Sequence, residues 1–474
     1  MTQKSTRVDV PYSAEQMFGL VADIERYPEF LPWCVALRVL SREEAPPLVY
    51  ETADMVVAYR VFRERFRTRV TLDRAGWRIA ARYVDGPFHS LMTDWRFEPL
   101  DHGSRIFFDI SFEFRNIIMQ ATARAVFERA LEIDPNMPNA ANNLGSILEK
   151  IGDDEAAIAL YRRALSVDPA SVEARDNLLL VCTRVAPQWH FPMIADADRN
   201  GAYADAIARA APGRHVLDIG SGSGLLAMMA ARAGAAHVAT CEMQPVIAAV
   251  AKRAVERNAL QDQIDVWSAK SDQLQVGVHI PRRAQVLVTE TFSSGLLSEH
   301  VLPTVEDAFE RLLEPDAVVI PRRAAAMGYL VGGRFLEDHF FSAAWDGLEL
   351  SEFDFLAPAK LGMHLDRVPH DVLSDPFEIF GFDLADGRFP AERRPLLVEA
   401  TSEGRCIGVA QWIRLELDAQ SVYENRPTAE AGANGWMHVI YPFIRPVEVK
   451  PGDLVPLVAG HNRAEIVVGL NEAP

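Results

Sequence analysis

The fold class expected of these 474 residues is multidomain. An α+β unit should lead, followed by a short run of α-hairpins, an α/β module and a closing β-rich region. Three observations predict it. Short runs of alternating apolar and polar residues crowd both ends of the chain. Between them, a nine-residue motif recurs 34 positions apart. Further on, the apolar run Val216–Ile219 breaks into Gly220-Ser-Gly222-Ser-Gly224 and then a helical pattern. A strand, a glycine turn and a helix open one half of a doubly wound sheet. Chain length alone suggests about three domains.

Composition narrows the function classes. Hydrophobic content of 49% and charged content of 24% are ordinary for a globular protein. No apolar run approaches the roughly 20 residues of a membrane span. The polar stretch Met1 to Asp9 lacks the apolar core of a signal peptide, so a cytoplasmic protein is expected. Cys34, Cys182, Cys241 and Cys406 are far apart and form no C-x-x-C pair, which suggests neither a metal nor a disulfide framework. A net charge of −18 argues against nucleic-acid binding and suits a cationic protein substrate.

Residues 1–118 form the expected first domain. Val8 to Phe18 reads as a short strand and a helix with Ser13 placed to cap it. Alternating runs follow at Met55, Phe66 and Arg105–Phe114, which predicts an antiparallel sheet wrapped on helices. Two stretches, Asp23 to Cys34 and Gly86 to Trp95, resemble the START-like family of coenzyme-Q-binding and ribosome-association-toxin proteins. The resemblance implies a helix-grip fold with an apolar cavity for a quinone or lipid, closed by a long helix that here begins near Met119. Tyr27, Phe30 and Trp33 are candidates to line such a cavity, or are simply core.

Residues 119–184 carry the repeat. Phe127 to Pro135 recurs as Tyr161 to Pro169, with Leu144, Gly145, Ala157, Tyr161, Ala164 and Pro169 at the packing positions of a tetratricopeptide (TPR) unit. One full repeat (138–171) lies between a half repeat and a helix from Val172 to Thr183. Three repeats are usually needed to stand alone, so packing on a neighbouring domain is expected. A spacer is the simpler reading and a peptide groove the alternative.

Residues 185–320 are the nucleotide-binding module. A side chain at Gly220, Gly222 or Gly224 would hold the backbone away from a nucleoside, and the turn needs φ values that glycine adopts cheaply. Glu242 follows Gly220 by 22 residues, where an acid reaches two ribose hydroxyls. Gly222 to Ala227 also fits the dinucleotide form G-x-G-x-x-A, so a dehydrogenase is a rival. Asp218, two residues ahead of the first glycine, favours S-adenosylmethionine (SAM). The run Val286–Val288 then leads to Glu290, with Glu299 nine residues on.

From Pro192 onward these motifs resemble the protein arginine methyltransferase family, especially its branch with tandem modules. The resemblance implies a Rossmann-like SAM fold followed by a β-barrel (321–474), with a dimerisation arm near 334–366. By it, Arg199 pairs with the SAM carboxylate, Asp218 and the three glycines shape the pocket, Glu242 holds the ribose and Asp272 the adenine amine. Glu290 and Glu299 are the expected double-glutamate pair. The chemistry needs two such acids. A guanidinium is fully protonated, so its nitrogens are poor nucleophiles. Two carboxylates can grip its N–H groups, hold charge on one side and aim a lone pair at the sulfonium methyl. Trp436 is expected beside the guanidinium, although Asn434-Gly435-Trp436 stands where the family often has Thr-His-Trp. With one catalytic module, a homodimer is the expected assembly. Two rivals come from other classes, a quinone- or lipid-binding START-like protein and a TPR scaffold whose methyltransferase is vestigial. A small-molecule methyltransferase is a further rival, but it would not need paired glutamates.

Overall fold

A computed structural model of the chain describes residues 2–31, 33–59, 62–114, 117–341, 346–428 and 435–471. The chain divides into two compact units, Met1–Arg184 and Val185–Pro474.

The first unit is built on seven strands, β1 (Thr2–Val10), β2 (Cys34–Ala45), β3 (Leu48–Tyr59), β4 (Phe62–Asp73), β5 (Arg78–Asp85), β6 (Phe88–Leu100) and β7 (Gly103–Phe114). They form one antiparallel sheet in the order β1-β7-β6-β5-β4-β3-β2. Between β1 and β2 lie α1 (Ala14–Ala22) and α2 (Tyr27–Phe30). Ser13 caps α1 in a reciprocal pair, its Oγ accepting from Gln16 N at 3.2 Å while Ser13 N donates to Gln16 Oε1 at 2.9 Å. Phe18, Val21 and Ile24 then pack on Ala53, Val70, Leu72, Ile79, Phe97 and Ile106 of the sheet. Tyr27 turns inward and donates to Val21 O at 2.7 Å, whereas Phe30 and Trp33 lie on the surface. That stripe is therefore split between core and solvent.

Helices α3 (Ile117–Ile133), α4 (Pro138–Lys150), α5 (Asp154–Val167) and α6 (Val172–Val185) follow. Asp153 caps α5 by accepting from Ala156 N at 3.2 Å. The repeat signature explains their packing, because Ala157, Tyr161 and Ala164 are fully buried. A Cβ on Gly145 would sit 2.7 Å from the Tyr161 ring, so only glycine lets α4 and α5 close. Arg184 of α6 reaches Glu149 and Asp154, both at 2.9 Å. Helix α4 also packs beside β1, so the repeat does lean on the sheet ahead of it.

The second unit opens with α7 (His190–Ala195) and α8 (Ala197–Ala210), then alternates β8 (His215–Ile219), α9 (Leu225–Arg232), β9 (His237–Glu242), α10 (Pro245–Arg257), β10 (Ile264–Ser268), β11 (Ala284–Thr289), α11 (Val301–Arg311) and β12 (Leu313–Ile320). The five strands run parallel in the order β10-β9-β8-β11-β12. The order reverses between β8 and β11, and ligands of open α/β sheets bind at such a point.

Past β12 come β13 (Arg323–Gly332), α12 (Arg334–Phe340), β14 (Leu361–Met363), β15 (Asp371–Val372), β16 (Phe377–Asp383), β17 (Glu392–Glu399), β18 (Gly404–Glu416), β19 (Val422–Glu424), β20 (His438–Val449), β21 (Leu454–His461) and β22 (Ile466–Leu470). One sheet runs β14-β20-β18-β13-β15, with β16 on β13 and β19 on β18, and a second runs β17-β21-β22. One apolar core joins the parallel sheet to these strands, and a second, around Tyr329, Leu336, Phe340 and Trp412, packs α12 against them. Among the described residues no helix is long and apolar enough to cross a membrane.

Overpacking a close contact costs about 1–3 kcal/mol, so Gly145→Ala should destabilise the first unit by that much. Denaturant unfolding of the variant beside the parent chain measures it.

Candidate active site

At the carboxyl ends of β8 and β11, five of the residues singled out from the sequence come together. Gly220, Gly222 and Gly224 all have positive φ (89°, 50° and 80°), a conformation cheap only for glycine. Gly220 has a second reason, since a Cβ there would lie 2.6 Å from Thr291 Cγ2. Gly220 N and Ser221 N donate to Cys241 O at 3.1 and 3.0 Å, which pins the loop to the end of β9. The next residue on β9 is Glu242. Its carboxylate accepts from Gly222 N at 3.1 Å and Gln244 N at 2.9 Å, one bond to each oxygen. The acid is thereby fixed against the glycine loop with lone pairs to spare.

Asp218 is fully buried, and its Oδ2 accepts from Thr240 Oγ1 at 2.7 Å. Burial pushes its carboxyl up to about 7, with the Thr240 hydrogen bond working against the shift. Asp272 is exposed on the short 3₁₀ turn Ser271–Gln273 beyond β10, near enough for its charge to act on Cys241.

Glu290 follows β11 directly. Its Oε2 accepts from Arg199 Nη2 at 2.7 Å, and both side chains are only 4% exposed. Burial raises the Glu290 pKa while the guanidinium pulls it down. The strand end is held from two sides: Tyr203 Oη donates to Thr289 O at 3.1 Å, and Thr289 Oγ1 to Ile219 O at 3.0 Å. The sequence expectation gave Arg199 a cofactor contact only, and the structure adds this ion pair with Glu290.

The loop from Glu290 to α11 is tightly organised. Phe292, Leu296 and Leu297 are buried anchors. Leu296 (φ 71°) and His300 (φ 60°) adopt the left-handed region, a strained choice for non-glycine residues. Ser293 Oγ accepts from Ser298 N at 3.1 Å, and Ser294 Oγ from Met437 N at 3.2 Å, which ties the loop to the later strands. Glu299 then lies at the wall of a cavity of about 400 Å³ shared with Trp436, Trp189, Met193, Lys360 and Tyr441. Burial, then the charges of Glu290 and Glu242, push Glu299 up to about 7. Glu299 is nevertheless an exposed residue, and solvent screening works against that shift.

Trp436 is buried beside this cavity, and Asn434 lies outside the described residues. The glycine between them has a packing cause. A Cβ on Gly435 would sit 2.9 Å from Met193 N and 3.3 Å from Pro192, so α7 occupies the space a side chain would need. Sequence reasoning missed Asp196, Tyr203 and Tyr423. Asp196 carries the usual signature of a helix cap and could have been found, whereas Tyr423 becomes visible only in three dimensions.

Known proteins resemble this chain in separate stretches. Family models match at 10–132 (polyketide cyclase / dehydrase and lipid transport), 138–171 (tetratricopeptide repeat) and 205–318 (ribosomal protein L11 methyltransferase). An arginine N(omega)-methyltransferase of Streptomyces achromogenes subsp. streptozoticus is 36% identical over 283 residues, covering 59% of this chain and 78% of that protein. The chain belongs to the arginine N-methyltransferase family. Human protein arginine N-methyltransferase 9 is 28% identical over 69% of this arginine methyltransferase homologue, which spans only 43% of the human protein's length. A solved Trypanosoma brucei PRMT1 enzyme–prozyme heterotetrameric complex with AdoHcy shares the fold, with a TM-score of 0.52, 20% identity and cover of 59% of this chain and 89% of that one.

Asp218 and Glu299 have folded pKa values above the ordinary carboxylate range, so the folded state holds protons that the unfolded chain has released. Their stabilising contribution is present at about pH 4 and is lost as pH rises towards 7. Buried histidines such as His438 act in the opposite direction, because burial lowers their pKa. The test is therefore a difference: denaturation of the free protein and of Asp218→Asn across pH 4–8 should show the variant gaining stability relative to the parent as pH rises.

Proposed function

We propose that the chain is a SAM-dependent protein arginine N-methyltransferase in which Glu290 and Glu299 hold the substrate guanidinium. The observation that carries this reading is the buried Arg199–Glu290 pair beside the glycine loop, with Glu299 on the wall of the adjoining cavity. The residues suit SAM. Arg199 Nε, Asp218 Oδ1 and Ser221 Oγ are buried without a hydrogen-bond partner among the described residues, and buried polar atoms normally have one. Arg199 would meet the cofactor carboxylate, Asp218 and the glycines would shape its pocket, Glu242 would take the ribose hydroxyls and Asp272 the adenine amine.

SAM supplies an electrophilic methyl on a sulfonium. The protein's part is to orient the nucleophile. Glu290, already ion-paired to Arg199, can accept from one edge of the guanidinium and Glu299 from another. Trp436 would cover the guanidinium's apolar face. The raised Glu299 is suited to take up the proton released on transfer. We further propose the domain division 1–118, 119–184, 185–320 and 321–474, with the last part a substrate-holding β-barrel. For 1–118 a quinone or lipid ligand is supported by the lipid-transport family match.

Glu290→Gln should lower transfer at least about 100-fold while SAM binding persists. Labelled SAM with glycine/arginine-rich peptides, followed by mass spectrometry of methylarginines, reads the first quantity, and calorimetry reads the second. Unchanged turnover would remove Glu290 from the mechanism.

A homodimer is the assembly we propose. The 3₁₀ turn Ser351–Leu356, inside the expected arm, exposes Phe353 (70%), Phe355 (91%) and Leu356 (65%). Apolar patches of this kind mark association surfaces. Replacing Phe353 and Phe355 together by Ser should shift the sedimentation coefficient from dimer to monomer. A monomeric parent chain would refute the assembly.

A further inference from the structure

Helix α8 carries Arg199 two residues beyond its first position, so whatever fixes the start of α8 also fixes that guanidinium. The start is Asp196, a buried residue with both carboxylate oxygens engaged. Oδ1 accepts from Arg199 N at 2.9 Å, and Oδ2 accepts from Tyr423 Oη at 2.6 Å. Tyr423 is itself buried on β19, where it pairs with Leu415 of β18. The strand is secured around it, since Asn425 Oδ1 accepts from Ile413 N at 2.9 Å and Asn425 O lies 2.9 Å from His438 Nε2. The far end of α8 rests on the same hairpin, through Arg209 to Asp418 at 2.6 Å and to Ser421. Thus α8 is held at both ends by β18–β19, and only the Tyr423 end is buried next to the site.

We propose that Tyr423 is a positioning residue for the cofactor. Its hydroxyl holds Asp196, Asp196 caps α8, and the cap sets Arg199 where it can bond Glu290 and the carboxylate of SAM together. Burial and the neighbouring Asp196 carboxylate push the Tyr423 pKa far up, so the phenol stays a donor throughout the working pH range. This assignment rests on the SAM-dependent reading above, yet it fails separately from it.

The test uses the full chain with SAM and a glycine/arginine-rich peptide. Tyr423→Phe should raise the KM for SAM about tenfold, as loss of a hydrogen bond to a buried charge does. The KM for the peptide should rise less than that for SAM, because of the substrate-holding residues only Glu290 is tied to Arg199, while Glu299 and Trp436 sit on other segments. Asp196→Asn should stay near the parent values, because an amide oxygen caps α8 equally well and its N–H can donate to the phenol oxygen. Asp196→Ala should match Tyr423→Phe, and combining the two should add nothing further. A Tyr423→Phe enzyme with unchanged KM for SAM overturns the assignment. So does an equal loss for both substrates accompanied by a lowered Tm, which marks a general structural role. Should Tyr423→Phe fail to fold, Asp196→Asn still decides, because a tenfold loss there would show that charge, not position, is what matters. A parent chain that binds no SAM would instead sink the functional reading itself.

Discussion

The Arg199–Glu290 ion pair is the constraint on which the second unit depends. Two charges with side chains 4% exposed cost several kcal/mol each to desolvate, and a 2.7 Å contact repays that only when the geometry is held. The fold spends much of its local structure on holding it. Asp196 fixes the start of α8, Tyr203 fixes the end of β11 by its bond to Thr289 O, and the strand order places β8 beside β11. Removing either charge would leave the other buried and unpaired. Each partner is therefore tied to the other, and the pair to the switch point of the sheet.

The same constraint explains why the backbone nearby is unusual. Three glycines with positive φ turn the chain tightly after β8, and the amides of Gly220 and Gly222 reach back to Cys241 O and the Glu242 carboxylate. On the other side, Leu296 and His300 take left-handed conformations in the loop that ends at α11. Buried Phe292, Leu296 and Leu297 over-determine that loop, and Ser294 bonds it to Met437. Strain held this way fixes the course of the loop between Glu290 and α11.

Much of this was legible in the sequence, for a physical reason. Positions that need glycine, such as Gly145 and Gly220, announce themselves because no other residue fits. Ser13 was readable as a cap because its bonds are local, within three residues. Contacts that join distant segments left no such trace. Tyr423 meets Asp196 across 227 positions, and Arg199 meets Glu290 across 91. Only the folded sheet brings them together. The split of Tyr27 from Phe30 and Trp33 was hidden for a related reason, since a stripe of aromatics does not reveal which ring points inward.

Gly435 shows how a departure from a family pattern can mislead when it is judged from sequence alone. A missing histidine beside Trp436 invites the reading that the catalytic module has decayed. The structure offers a different cause. Met193 N would lie 2.9 Å from any Cβ at 435, so the approach of α7 excludes every side chain there, histidine included. Met193, Trp189 and Trp436 then wall the same cavity as Glu299. Decay predicts relaxed packing and unpaired charge around the lost group. What surrounds Gly435 is a close backbone contact, a buried tryptophan and, one helix away, an Asp196 carboxylate with both oxygens hydrogen-bonded. Glycine at 435 is thus a requirement of how the N-terminal helices cover the site.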